Sequence, residues 1–253
     1  HNSADSRVIA ILQNDKPVNT LDNGDQAIVI LDQTPFYAES GGQIGDVGDL
    51  TKGDSKFQIS DTQKQGDVYL HVGLLSSGQL SVGDSIHAVI DSEHRQAVML
   101  NHSSTHLMHE ALRQVLGEHV QQKGSLVDAE KLRFDFSHYQ PLTKDEIIQI
   151  ETWVNDQIRL NLPTSSKLMD MDEAKETGAM ALFGEKYGDV VRVLSIGSDS
   201  VELCGGTHVQ RTGDIGLFKM ILETGTASGV RRIEAVTGDD AVRRFIDCEN
   251  KVE

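Results

Sequence analysis

The sequence contains few cysteines, prolines and aromatic side chains, and its basic residues are outnumbered by acidic ones. Two cysteines in 253 residues do not suit a disulfide framework and favour a reducing compartment, which predicts a cytoplasmic location. Only 4 prolines, and no apolar run near the ~20 residues that a bilayer requires, argue against fibrous and membrane-bound classes. The formal charge of -16 excludes a globally positive surface, so any contact with nucleic acid must be local.

The remaining composition is that of a soluble globular protein. Hydrophobic residues make up 38% and charged residues 25%, and the length allows one large domain or two small ones with a sizeable core. The chain starts at His1 instead of methionine, and residues 239–253 resemble an amphipathic helix that stops before its end. We therefore expect an excised fragment of a longer protein.

The first third of the chain alternates short β-favouring runs with Gly, Asp and Asn turns. The runs are residues 8–12, 27–31, 56–62, 68–72 and 85–90. This pattern predicts a small Gly-rich barrel or sandwich, which we assign to residues 1–91 as a β-barrel subdomain.

Two long helices are predicted after the barrel. Asp91 or Ser92 can cap the first, which should run to about Leu116. Thr143 and Glu146 have the spacing of a capping box at the start of the second, where isoleucines and valine recur at helical spacing.

Short strands make up much of the rest of the chain, with a short helix over residues 172–177 that Gly178 should stop. The predicted strands cover residues 125–136, 190–196, 201–204, 217–222 and 230–236. Because strands and helices do not alternate regularly, the pattern predicts an α+β fold, with the β-barrel followed by a mixed α/β domain over residues 92–253.

The sharpest local signal is a pair of histidines, His102 and His106, in the first predicted helix. Residues four apart project from one helix face, so two imidazoles there can bind one metal ion. A purely structural pair is the alternative, because the chain has 10 histidines. The pair is not the His-Glu-x-x-His motif of metalloproteases, since Ser103 occupies the position of the glutamate.

A second pair, Cys204 and His208, flanks two glycines that let the backbone turn tightly around an ion. The two pairs together offer three nitrogens and one sulfur, which suit Zn²⁺ better than Ca²⁺ or Mg²⁺. Two alternatives stay open for zinc: one ligand is loose and the ion activates water, or four ligands saturate the ion and it orients the substrate. Without metal, Cys204 would be an inert buried thiol.

These two pairs and several further segments resemble the editing region of the alanyl-tRNA synthetase family. The segments are residues 32–43, 122–125, 132–137, 181–186, 212–216 and 229–234. The resemblance covers nearly the whole chain. The metal-binding pairs are also similar to those of threonyl-tRNA synthetase editing domains, but residues 39–43 favour the alanyl family.

The resemblance implies a zinc-binding domain over residues 92–253 that hydrolyses mischarged Ser-tRNA(Ala) and Gly-tRNA(Ala). An alanine pocket cannot exclude glycine and rejects serine weakly, so a second site has to remove these errors. The implied partners are tRNA(Ala), especially its aminoacylated 3′ end, and the synthetic and C-terminal domains of a parent enzyme. No ATP site is recognisable, so this fragment should not charge tRNA.

Three residues are candidates for catalysis. Thr105, between the two histidines, could contact the serine hydroxyl or instead bond back to a helix carbonyl. Gln122 matches the family's active-site glutamine and could position water or the substrate carbonyl. Glu202 shares a strand face with Cys204 and could orient a ligand or accept a proton, although strand carboxylates such as Glu202 and Asp135 are commonly salt-bridged.

Glycine-rich and basic segments are candidates for tRNA contact. Ser40, Gly41, Gly42 and Gln43 could let the backbone approach the terminal nucleotides, or could form a tight barrel turn. The segment is not a Walker loop, because no Gly-Lys-Ser/Thr follows. The basic candidates for phosphate contact are Lys123, Lys186, Arg211, Lys219, Arg231 and Arg232.

Two other functions remain open. A free-standing trans-editing deacylase would have the same chemistry but would end naturally, which the truncated terminal helix disfavours. A zinc-stabilised tRNA-binding module without catalysis would bind tRNA and leave the ester intact.

Overall fold

The computed structural model describes residues 1–177, 189–197 and 200–250, and the chain divides into two units. The first unit consists of residues 1–40 and 44–95, and the second of residues 41–43 and 96–253. Gly178, the predicted end of the short helix, and the segment 181–186 lie outside the described residues. No helix in the described ranges combines the length and apolarity needed to cross a membrane.

The first unit is built from nine strands, six of which close a barrel. They are β1 (Ser3–Gln13), β2 (Lys16–Val18), β3 (Thr20–Asp22), β4 (Gln26–Leu31), β5 (Gly48–Lys52), β6 (Ser55–Gln65), β7 (Val68–Ser77), β8 (Gln79–Ser81) and β9 (Ser85–Ile90). The barrel order is β1-β4-β7-β6-β5-β9, and β9 pairs back onto β1. All these pairings are antiparallel, so closure leaves no open edge among the six strands.

Alternation of buried and exposed side chains produces this barrel. In β9, Ile86, Ala88 and Ile90 are buried while the residues between them are exposed. The same period of two recurs in β4, and the inward side chains meet in one cluster that includes Phe57 and Leu75. The prediction of a small β-barrel is confirmed, and the five predicted strands overlap β1, β4, β6, β7 and β9.

Strand β5, which joins β6 to β9 and completes the barrel, is not predicted by its sequence. Its only apolar residue, Leu50, pairs with Phe57 on one side and Ala88 on the other and is buried. A single apolar position shows no alternation in the sequence. This segment is therefore a strand because it pairs with the strands on either side of it. Its own composition does not favour β-structure.

The remaining chain forms four α-helices and two antiparallel sheets within the described residues. The helices are α1 (Ser92–Leu116), α2 (Lys144–Arg159), α3 (Met171–Glu176) and α4 (Gly238–Glu249). The strands are β10 (Gln122–Val127), β11 (Leu132–Ser137), β12 (Thr164–Asp170), β13 (Val190–Ile196), β14 (Ser200–Leu203), β15 (Phe218–Ala227) and β16 (Val230–Thr237). One sheet has the order β10-β11-β16-β15 and the other β12-β13-β14. The predicted mixture of helices and strands is confirmed, although the described chain as a whole is mostly β.

Helix α1 begins and ends as its sequence predicts. Asp91 is the cap, because its Oδ1 accepts hydrogen bonds from the backbone N–H groups of Glu93 at 3.0 Å and His94 at 2.9 Å. The helix ends at Leu116, and Gly117 follows with a φ of 119°.

Helix α2 has the predicted capping box and buried stripe. Thr143 Oγ1 accepts from Glu146 N at 3.2 Å, and Glu146 Oε2 accepts from Thr143 N at 2.7 Å. Ile150, Val154 and Ile158 are buried in the main cluster of the second unit. The helix supports the four-stranded sheet through this apolar face.

We predict that Thr143→Ala lowers the free energy of unfolding by about 1 kcal/mol, because one orphan backbone N–H at the helix start loses its acceptor. Chemical denaturation measures the change. Lys144→Ala is the control, since Lys144 is exposed on the same turn and the box stays intact; its effect should be under about 0.5 kcal/mol. Equal effects of the two substitutions would contradict a stabilising capping box.

Candidate metal centre

The middle of α1 buries an unusual number of polar side chains. Asn101, His102, Ser103, Ser104, Thr105, His106 and His109 are all at most 6% exposed. Buried polar groups are costly unless they find partners, so this segment needs polar side chains from elsewhere in the chain. His102 and His106 lie one turn apart, with their rings stacked at 5.1 Å between centroids.

The loop after β14 supplies Cys204 and His208. Its turn requires glycine at Gly206, because a Cβ atom there would lie 2.2 Å from His102 Cε1 and 2.7 Å from Gln43 Oε1. The Arg192 guanidinium donates to the carbonyl oxygens of Gly205 at 3.2 Å and Gly206 at 2.6 Å. The loop therefore approaches α1 so closely that only glycine fits at position 206.

The two predicted pairs converge. One ligand atom from each of His102, His106, Cys204 and His208 lies within 4.8 Å of the other three. Cys204 Sγ is 3.2 Å from His208 Nε2 and 3.6 Å from His102 Nε2. Ligand atoms around a tetrahedral ion, at roughly 2.0–2.3 Å from it, are separated by distances of this size. The group therefore has the composition and the spacing of a metal-binding site.

The second ring nitrogen of each histidine is held by another side chain. His102 Nδ1 is 2.7 Å from Gln43 Oε1, His208 Nδ1 is 3.2 Å from Ser103 Oγ, and His106 Nδ1 is hydrogen-bonded to Glu202 Oε2. Such contacts direct Nε2 toward a metal.

An unpartnered nitrogen supports this interpretation. His106 Nε2 is buried and has no hydrogen-bond partner among the described residues. A buried imidazole nitrogen without a partner is costly unless a ligand binds it. The chemistry of the donor set, three nitrogens and one sulfur, fits Zn²⁺.

Electrostatics favour a cation at this place. Burial would raise the pKa of the Cys204 thiol, but His102 and His106 hold it well below its usual value. Burial would also raise the pKa of Glu202, but His106 and His109 lower it to about 2. The pKa of His208 is lowered to about 3, first by burial and then by His102, so its imidazole is neutral. Burial would lower the pKa of His106, but Glu202 and Cys204 raise it to about 10, so a protonated His106 balances the buried negative charge without a metal. A divalent cation would take the place of that proton.

Gln43 lies beside the metal-binding group, although the sequence analysis assigned it to tRNA contact. It is 1% exposed, and its Oε1 accepts a hydrogen bond from Thr207 N at 2.9 Å while its Nε2 donates to Thr207 Oγ1 at 2.8 Å. The preceding Gly42 has a φ of 87°, and a Cβ there would lie 2.5 Å from Ser125 O. Chain packing therefore accounts for Gly42 and Gln43. No spacing rule could have linked Gln43 to His102.

The other catalytic candidates lie in different surroundings. Thr105 is 5% exposed, and its Oγ1 donates to Asn101 O at 2.9 Å, which is the back-bond that the sequence analysis gave as the alternative. Glu202 is 2% exposed and accepts from two imidazoles, so it lies behind the ligands. Gln122 is half-buried at the start of β10, opposite Phe136.

The candidates for tRNA contact are scattered, and several are bound to acidic groups. Arg231 forms an ion pair with Glu223 at 2.6 Å, and Arg232 donates to both oxygens of Asp135 at 2.7 Å. Lys219 pairs with Glu151, and the Arg211 side chain donates to Asn161 O. Ser40, Gly41 and Lys123 are exposed. Lys186 lies outside the described residues.

Comparisons with known proteins identify similar sequences. Residues 1–94 match a family model described as "tRNA synthetases class II (A)", and residues 191–234 match "Threonyl and Alanyl tRNA synthetase second additional domain". The chain is 59% identical over 241 residues to an alanine–tRNA ligase of Saccharophagus degradans, and 57% identical over 249 residues to that of Delftia acidovorans. It is 57% identical over 252 residues to the alanine–tRNA ligase of Pseudomonas fluorescens. These alignments cover 95, 98 and 99% of this chain but only 28, 28 and 29% of the relatives.

We predict that the purified chain contains about one metal ion and that Cys204→Ala lowers this content strongly, because the substitution removes one donor and the buried thiolate charge. Elemental analysis after gel filtration measures it. Cys248→Ala is the matched control, since Cys248 is the only other cysteine of the sequence and should leave the content unchanged. Full metal content in the Cys204→Ala variant would rule out Cys204 as a ligand.

Proposed function

The chain belongs to the alanyl-tRNA synthetase family, and from this premise we propose that it hydrolyses mischarged tRNA(Ala) as the editing part of such an enzyme. The substrates would be Ser-tRNA(Ala) and Gly-tRNA(Ala), and the cofactor would be Zn²⁺. The observation that carries the proposal is the convergence of His102, His106, Cys204 and His208, two of which lie inside the second matched segment.

A hydrolytic site is needed because the alanine-binding pocket of the synthetic site accepts some wrong amino acids. A pocket shaped for alanine excludes neither the smaller glycine nor, with sufficient selectivity, serine, which differs by one hydroxyl. A hydrolytic site that hydrogen-bonds the serine hydroxyl can prefer serine over alanine. Bound alanine would leave the polar group of the site without a partner. The expected product is free amino acid and uncharged tRNA.

The four ligands would hold the ion, and the side chains around them would keep the imidazoles in place. With all four ligands bound, zinc would be saturated and its charge would orient the substrate, and it would lower the pKa of a water only if one ligand were displaced. Gln43 and Ser103 fix His102 and His208 through their Nδ1 atoms, and Glu202 does the same for His106. Glu202 therefore contributes by orienting a ligand, and its burial behind His106 does not suit a base that reaches the substrate.

Thr105 has the hydrogen-bonding capacity to recognise serine. Its hydroxyl proton is donated to Asn101 O, so the lone pairs of Oγ1 are available to accept a bond from a substrate hydroxyl. Thr105 lies between the two histidines in the sequence of α1, which supports a role for this acceptor near the ligands. We propose that Thr105 selects serine over alanine, and that Gln122 positions the ester.

Contacts with tRNA would come from local surfaces. The exposed Ser40, Gly41 and Lys123 are proposed contacts, as are Arg211 and Lys186. Arg231 and Arg232 already form ion pairs with Glu223 and Asp135. To bind a phosphate, each would have to share its charge with that carboxylate or break the pair, which weakens its attraction for phosphate. With a net charge of -16, binding should be weak and strongly dependent on salt.

We expect the chain to deacylate Ser-tRNA(Ala) and to spare Ala-tRNA(Ala) in a radiolabelled release assay at low salt. A chelator should abolish the activity, and Zn²⁺ should restore it. Tight tRNA binding without ester cleavage by the metal-loaded protein would instead support a zinc-stabilised binding module.

Thr105→Val should reduce the preference for Ser-tRNA(Ala) over Ala-tRNA(Ala) by a factor of roughly 5 to 150, which corresponds to one hydrogen bond of about 1 to 3 kcal/mol. Valine keeps the shape and removes the hydroxyl. Thr164→Val is the control, because Thr164 Oγ1 is buried in β12 and has no hydrogen-bond partner in the described part of the chain. An unchanged preference in Thr105→Val would remove Thr105 from serine recognition.

A further inference from the structure

We propose that His109 is a positioning residue of the metal centre, and that it acts through Glu202 on the orientation of His106. The inference rests on the proposed metal-binding function and extends it to a residue that touches none of the four ligands through a hydrogen bond in the described chain. His109 lies on α1 three residues after His106, and both histidines are bonded to the same carboxylate.

The contact geometry forms a chain of three side chains. Glu202 projects from β14 and is 2% exposed. Its Oε2 is bonded to His106 Nδ1, and its Oε1 is 3.0 Å from His109 Nδ1. A carboxylate accepts hydrogen bonds, so each imidazole has to carry its proton on Nδ1 in these contacts. For a neutral His106 this places the free lone pair on Nε2, the unpartnered nitrogen that is left to join the ligand group.

The second donor fixes the plane of the carboxylate. The terminal torsion of a glutamate is broad, so a carboxylate held at one oxygen can still rotate. With His109 on Oε1 and His106 on Oε2, both oxygens are anchored and the plane is determined. The plane in turn sets the direction in which His106 can bond. Removal of His109 would also leave a buried anionic oxygen without its donor.

Packing alone does not explain a histidine at this position. The ring of His109 is 2% exposed and lies 5.2 Å from the ring of Phe134, surroundings that an apolar side chain would fill. Its Nε2 is buried and has no hydrogen-bond partner within the described ranges, which makes imidazole less favourable than leucine there. The bond from Nδ1 to Glu202 is the compensating interaction.

Three substitutions separate the proposed role from simple packing. In His109→Asn the amide nitrogen comes close to the position of the imidazole Nδ1, in His109→Gln it extends toward the position of Nε2, and His109→Leu removes the donor. We expect His109→Gln and His109→Leu to weaken Zn²⁺ binding roughly 10- to 100-fold, which is the range for residues that orient metal ligands. His109→Asn should bind close to wild type.

Competition with a chromophoric chelator measures the affinity for Zn²⁺, without any substrate. His71→Leu is the matched control, because His71 is also a buried histidine but belongs to the barrel, where Thr34 and Val29 are its partners. It should lower stability and leave the metal affinity unchanged. The absorption of the Co²⁺-loaded protein gives a second readout, which should change in His109→Gln and stay the same in His109→Asn.

The outcomes distinguish this inference from the proposed function. Failure of the wild-type chain to bind Zn²⁺ would overturn both. Wild-type binding together with equal affinity in all three His109 variants would overturn the role of His109 alone. If the variants do not fold, the wild-type protein still provides the test: long-range ¹H–¹⁵N spectra should show a proton on His109 Nδ1, and a bare Nδ1 would contradict the proposal.

Discussion

The structure of the second unit depends on the fixed orientation of three imidazoles at the buried centre of α1 and its neighbouring loop. Each ring is held through Nδ1 by a side chain from another segment, which leaves every Nε2 directed to a common point. Gln43, Ser103 and Glu202 are these holders. The polar middle of α1 is therefore stable only because chain segments far apart in sequence are brought against it. The same contacts that satisfy the helix also create the ligand group.

Much of the fold follows from local patterns. The capping box at Thr143, the cap at Asp91 and the alternating strands of the barrel correspond to features of the sequence that act over a few residues. The strand around Leu50 does not, because its pairing is imposed by β6 and β9. The described chain also contains more strand and less helix than the prediction of an α+β fold suggested, because the barrel and two sheets make up most of it.

Within the site, the sequence predicts the four ligands and names Glu202 as a residue that could orient one of them. His102 with His106, and Cys204 with His208, are recognisable because their spacing within each pair suits one ion. The outer contacts are not encoded in spacing: 59 residues separate Gln43 from His102 and 93 separate His109 from Glu202. Residue types also could not reveal that Arg231 and Arg232, two of the arginines proposed for tRNA contact, face carboxylates, because neighbours on adjacent strands are known only once the register is known.

The seam between β1 and β9 has a consequence for how the barrel can be used in a longer polypeptide. Ala4 lies opposite Ala88, and Ser6 opposite Ile86, so the first and last strands of the barrel run side by side. A chain that passes through this module leaves it near the point where it came in. Joining these neighbouring ends with a short linker, as in a circular permutant, would keep the pairing of β1 with β9 that closes the barrel.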